Sequence, residues 1–268
     1  MNIVCASICY RGFADDEVAA TLERAPAIGY TLMEIHGPLG GGISETAPDA
    51  LRSLKAKIAA AGMRCAGIYP CGWGGRDDAA VRESAAKIVK AVAAARELGA
   101  DHLAMTSNSA KGEAGAIDRI IACIRLALEG IGKESSVRLC LEPHLGNALE
   151  QEADFAAVMR AVGDPRVGLC VDTGHFHAAH VDTLGFIRRH GRRIYNVHFK
   201  DHVGEVSVGI GRGEIDLASV IAALRAARYA GDLTLELEVQ DPANLPRYTE
   251  EAYFYVSGLL GRRLDPRK

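Results

Sequence analysis

The sequence predicts an α/β fold, a (β/α)8 TIM barrel forming one domain over residues 1–268. Three observations carry this. Short apolar runs recur eight times, amphipathic segments of helical period separate them, and no Pro-, Ser- or charge-rich stretch divides the chain. Strict alternation of strand and helix requires a parallel sheet, and closure of eight units leaves no sheet edge exposed. The alternative is a doubly wound open sheet. It lacks support because CYRGF, and not a glycine-rich dinucleotide turn, follows the first strand.

The strand-like runs are Ile3–Ser7, Thr31–His36, Arg64–Tyr69, His102–Thr106, Val137–Glu142, Val167–Asp172, Ile194–Phe199 and Leu233–Glu238. Between them, Asp15–Ile28 and Pro48–Ala61 each finish at a glycine, as helix C-termini often do. Asp77–Leu98 places Val81, Ala85, Ile88, Val92 and Ala95 on one face at spacings of three and four. Ala116–Ile131, Glu152–Val162, Val181–His190, Leu217–Arg228 and Asn244–Leu260 complete the helices.

An apolar fraction of 49% with 24% charged residues is that of an ordinary globular protein, so a sizeable core is expected. The net charge of -3 gives no support for a nucleic-acid partner or an anionic membrane, both of which favour basic surfaces. No window reaches the ~20 apolar residues of a membrane span. The opening MNIVCASICYRGF reads as a strand and not a signal peptide. Seven cysteines without a CxxC pair, several inside apolar runs (Cys65, Cys140, Cys170), fit reduced thiols in a cytoplasmic protein.

Strands buried on both faces should be nearly continuous apolar runs, and four later strands break that rule near their C-terminal ends. In VRLCLEPH, Leu139 and Leu141 share one phase while Glu142 lies on the other. Asp172 stands out likewise in VGLCVDTGH, His198 and Asn196 in IYNVHFKD, and Glu236 and Glu238 in LTLELEV. Period-two alternation then points Glu142, Asp172, His198 and Glu236 into the barrel, at the mouth where barrel enzymes build their sites. Three carboxylates in a partly dry lumen repel one another unless a cation compensates them. This oxygen-rich set without thiolate suits one divalent ion: Mn²⁺, Mg²⁺, Co²⁺ or Zn²⁺.

The series LEPH, VDTGH, NVHFKD, GRGEID and YAGDLTLELE resembles the xylose-isomerase-like superfamily of TIM barrels, and within it the sugar phosphate isomerase/epimerase group. That group includes hydroxypyruvate isomerase, tagatose-3-epimerase-like enzymes and inosose dehydratase. MEIHG at Met33–Gly37 is similar to the family's second strand. The resemblance implies that Glu142, Asp172, His198 and Glu236 bind the metal, with Glu236 at the family's distance from Gly231 although Glu238 shares its phase, and that His175 reaches substrate. The arginine some epimerases carry just after the strand-seven His is missing; Lys200, Asp201 and His202 stand there and Arg212 comes later. Endonuclease IV shares the fold and DTGH, but its further Asp-x-His pair has no counterpart in GEVSVGIG.

The expected function is a metal-dependent isomerase or epimerase of a small sugar or sugar phosphate. Glu142 and Glu236 would transfer a proton from opposite faces through a metal-stabilised enediolate. A dehydratase of a keto-inositol or keto-acid on the same site is the second reading, and a catalytically silent metal-binding subunit the third. His175, His36, Lys200, Arg212 and Trp73 are candidates for substrate contact, with Glu34 in phase with His36 and Tyr10 and Arg11 beside the mouth. Lys200 and Arg212 would meet a phosphate or carboxylate. The glycines of 37–42 and 72–75 permit tight or mobile loops there. The expected partner is a small sugar or polyol; a homo-oligomer is compatible with this reading.

Overall fold

The computed structural model describes residues 1–37 and 42–262. Eight parallel strands close into a barrel: β1 (Asn2–Ala6), β2 (Leu32–His36), β3 (Arg64–Tyr69), β4 (His102–Met105), β5 (Arg138–Leu141), β6 (Val167–Asp172), β7 (Ile194–Phe199) and β10 (Asp232–Leu235). Closure is the pairing of β1 with β10, Asn2 opposite Asp232 through Cys5 opposite Leu235. The helices are α1 (Glu17–Ile28), α2 (Pro48–Ala60), α3 (Asp78–Leu98), α4 (Ala116–Ile131), α5 (Glu152–Val162), α6 (Thr173–Ala178), α7 (Thr183–His190), α8 (Leu217–Ala226) and α9 (Leu245–Leu259).

Local chemistry sets these boundaries. Asp16, Asp77, Asp182 and Asp216 each accept a backbone N–H two or three residues into the following helix, at 2.8–3.0 Å. On α3 the five residues read as one face are all buried, and Gly99 ends the helix at φ 78°. The alternation of the strands sorts side chains as well. Ile3 and Cys5 join the main core between sheet and helices, while Val4 packs with Leu32 and Ala66 in the lumen. Ala104, Cys140 and Cys170 form a second lumen cluster.

Two features escape the sequence reading. Residues Thr173–Ala178 of DTGHFHA coil into the short α6 immediately after β6, because the Asp172 carboxylate caps it by accepting from His175 N at 2.8 Å. Beyond β7, β8 (Asp201–Val203) and β9 (Val206–Val208) form an antiparallel hairpin that turns at Gly204, φ 56°. Its return is pinned by Asp201, whose carboxylate accepts from Gly211, Gly213 and Ile215. The eighth barrel strand is shorter than expected. It leaves the sheet after Leu235, where Glu236 N reaches Phe199 O only at 3.5 Å. All seven cysteines are free thiols, six of them buried. Among the described residues no helix is long and apolar enough to cross a membrane. Residues 38–41, within the glycine-rich segment expected at the mouth, lie outside the described residues.

Candidate metal centre

Four strand ends converge. Glu142 follows β5 by one residue, Asp172 ends β6, His198 lies on β7 and Glu236 is the first residue past β10. Each is buried, and each offers one donor atom that lies within 4.8 Å of the other three. His198 Nδ1 is the meeting point: it is hydrogen-bonded to Glu142 Oε1 and stands 2.9 Å from Glu236 Oε2. The last strand's early exit decides between its two glutamates. Glu236 joins the cluster, while Glu238 turns to Lys200, Oε2 to Nζ 2.6 Å.

The donor set fits a divalent ion. Asp172 Oδ2 and Glu236 Oε2 are buried without a hydrogen-bond partner. Lys200 Nζ lies 3.1 Å from the first and His198 Nδ1 2.9 Å from the second, at ionic distance but outside hydrogen-bonding angles. Buried carboxylate oxygens left in this way are costly, and a shared cation is the usual remedy. Three carboxylates and one imidazole would make an O/N donor set of the kind Mn²⁺, Co²⁺ or Zn²⁺ accepts. Cys170 Sγ also approaches Glu142 and His198, but burial pushes its thiol up to about 12, so the thiolate is disfavoured.

The three carboxylates are not equivalent. Burial opposes ionisation of Glu236, yet Lys200 and His198 outweigh it and hold this carboxyl well below the usual range. Burial works against Asp172 too, and the Lys200 ammonium, 3.1 Å away, reverses it. For Glu142 burial prevails over the nearby His198, with Glu236 and Asp172 adding to the upward push. Burial disfavours the cation at Lys200, but Asp172, Glu236, Glu238 and Glu142 raise it well above its ordinary value. His198 is likewise raised against its burial by the carboxylates around it, Glu236, Glu34 and Glu142. His175 is driven by burial down to about 3 and is neutral.

A cavity of about 290 Å³ opens onto this cluster. Of the residues singled out from sequence, His36, His175, Lys200, Arg11, Glu142, Glu236 and Glu238 line it. Lys200 is fully enclosed, and the carboxylates it meets are the protein's own, so the expected free phosphate-binding charge is absent at that position. Arg11 is held by Glu17, Nε to Oε1 2.6 Å. Three expectations are corrected. Trp73 is wholly buried, its indole N–H donating to Met105 O at 2.9 Å, because the β3 loop folds back against β4. Tyr10 is buried in the core beneath α1 and α9. Arg212 lies outside the cavity, paired with Glu251 at 2.6 Å and stacked over Tyr248, since the hairpin carries it outward onto α9. Tyr69 and His144 line the cavity and were missed. Both carried a signal, Tyr69 as a polar strand end and His144 within LEPH. The loop glycines 72–75 are tight: a Cβ at Gly72 would meet the Asn108 side chain at 2.2 Å.

A closed parallel barrel with a carboxylate–histidine cluster at its C-terminal mouth defines the class. The chain belongs to the xylose isomerase-like TIM barrel family, whose model matches residues 22–255. It is similar to the inosose dehydratase of Salmonella typhimurium, 28% identical over 155 residues, a match spanning 50% of this chain and 51% of that protein. Among solved structures it is similar to a zinc-bound IOLI protein (TM-score 0.78, 16% identity, 97% of this chain and 98% of that one). It is also similar to an L-ribulose 3-epimerase (TM-score 0.78, 22% identity, 97% and 95%). These two likenesses establish the fold.

Proposed function

We propose that this chain is a divalent-metal-dependent enzyme of small sugars or polyols, moving a proton at a carbon next to a carbonyl as an isomerase or epimerase. The observation that carries the reading is the pair of orphaned, buried oxygens of Asp172 and Glu236 beside His198 Nδ1 and Glu142. Glu142, Asp172, His198 and Glu236 would hold the ion. When bound, it supplies positive charge that polarises a substrate carbonyl and offsets the charge left when the neighbouring proton departs. Glu142, whose carboxyl burial raises, is the better suited of the two to deliver a proton; Glu236, held ionised by Lys200 and His198, would accept one. The two follow β5 and β10, three strands apart around the barrel, so they would approach a bound ring or chain from different sides. Neutral His175 would hydrogen-bond a substrate oxygen, and Tyr69, stacked on His36 with centroids 5.0 Å apart, would cover an apolar face. The cavity suits a monosaccharide or an inositol ring and not a nucleotide.

A second reading, dehydration, is favoured by two facts: the sequence relatives named inosose dehydratase, and the ammonium of Lys200, 3.4 Å from His175 Nε2, beside the site. Incubation of ketoses and keto-inositols in D₂O with added Mn²⁺ tests both. Deuterium in an isomeric product supports the first reading, and a product lighter by one water supports the second. Metal-loaded protein that gives neither deuterium exchange nor loss of water with any of these substrates would refute both.

A further inference from the structure

Below the donor cluster lies a second polar layer built around a residue outside the cavity lining. Glu34, on β2, has no exposed surface. Its Oε1 meets His36 Nε2 at 2.7 Å and His198 Nε2 at 2.8 Å. Its Oε2 meets His102 Nε2 at 2.8 Å, Asn196 Nδ2 at 2.9 Å and Thr234 Oγ1 at 3.4 Å. Side chains from β2, β4, β7 and β10 thus converge on one carboxylate. An ionised carboxylate only accepts, so each imidazole nitrogen facing it carries a proton. With Nε2–H of His198 committed downward, Nδ1 is the atom turned toward Glu142 and Glu236.

The fold reserves space for this arrangement. The β2–β3 register shifts between Met33 and Glu34: Met33 pairs with Cys65 and Glu34 with Gly67, so the extra residue is Ala66 on β3 and Gly67 is brought opposite Glu34. Opposite it, a Cβ on Gly67 would stand 2.2 Å from His102 Nε2 and 2.8 Å from Glu34 Oε2. Only glycine leaves the carboxylate and its donors in place.

We propose that Glu34 is a positioning residue: from beneath, it fixes the His198 ring so that Nδ1 faces the ion site, and it holds His36 as a wall of the substrate cavity. Carboxylates that accept from the far nitrogen of a ligating imidazole orient the ring and strengthen the ligand. The inference rests on the metal reading above for the ion, and on the hydrogen bonds alone for the rings.

The test is Glu34→Gln, whose amide nitrogen must donate and so cannot serve the same set of donors. Calorimetric titration of metal-free protein with Mn²⁺ is expected to show about a 10- to 100-fold weaker affinity than wild type. A crystal structure of the metal-free variant is expected to show the His198 or His36 ring rotated. Wild-type affinity with both rings unmoved overturns the proposal. So does weaker binding with both rings in place, because the effect would then be charge alone. Should Glu34→Gln fail to fold, Glu34→Asp, which keeps the charge but withdraws by one methylene, is read in the same two ways. If wild-type protein takes up no divalent ion, the metal reading falls, and the ring positions in the variant still decide the role of Glu34.

Discussion

The two polar layers of the lumen are equally buried and differ in one respect. Around Glu34 the donors His102, Asn196 and Thr234 are matched to acceptors. One layer above, Asp172 Oδ2 and Glu236 Oε2 lack partners, and three carboxylates crowd a single histidine. A polar group in a barrel interior is either part of the frame or part of the chemistry, and hydrogen-bond satisfaction tells them apart. The lower layer should therefore govern stability and the upper one turnover.

Variants can break this contrast. The largest effect is expected from Glu236→Gln, which should reduce solvent-deuterium exchange into substrate by about 10²- to 10⁴-fold in protein whose circular dichroism shows it still folded. Exchange at the wild-type rate would remove Glu236 from the chemistry. In the lower layer, Asn196→Leu deprives Glu34 and Thr234 of a partner. It should cost about 1–3 kcal/mol, read by denaturant unfolding.

Glu142→Gln sharpens the comparison by sign. A carboxyl raised in the folded state favours folding below its unfolded pKa, and that contribution is lost as pH rises through the folded value. Above its folded value the ionised Glu142 thus weighs against the metal-free fold. The variant should be more stable there by about 0.5–2 kcal/mol and should lose this part of the pH dependence, although turnover falls. Trp73→Phe, which removes the N–H to Met105 O and leaves part of the buried indole's volume empty, should cost about 1–3 kcal/mol and leave KM unchanged. Smallest is Arg212→Ala, expected within ±0.5 kcal/mol and without effect on KM, since that side chain is half exposed on the surface.

Much of this was legible in the chain. Alternation on each strand located Glu142, Asp172 and His198, because a polar residue in the inward phase of a parallel strand has few reasons to be there. The same rule could not separate Glu236 from Glu238, since which of them meets the cluster depends on where β10 leaves the sheet. Trp73 and Arg212 misled for a related reason. Their positions follow from how loops fold back, onto β4 for Trp73 and onto α9 for Arg212, and loop paths carry no periodicity. The Glu34 network was half visible as an inward phase on β2. Its partners come from β4, β7 and β10, contacts of long sequence separation that only the closed barrel brings together.

The central claim is that Glu142, Asp172, His198 and Glu236 share one ion. Anomalous diffraction from crystals soaked in Mn²⁺ tests it most directly. The account predicts a single strong peak per chain, about 2.0–2.3 Å from a carboxylate oxygen of each acid and from His198 Nδ1. A fully occupied peak elsewhere in the barrel, or no peak at the mouth with manganese in excess, would contradict it.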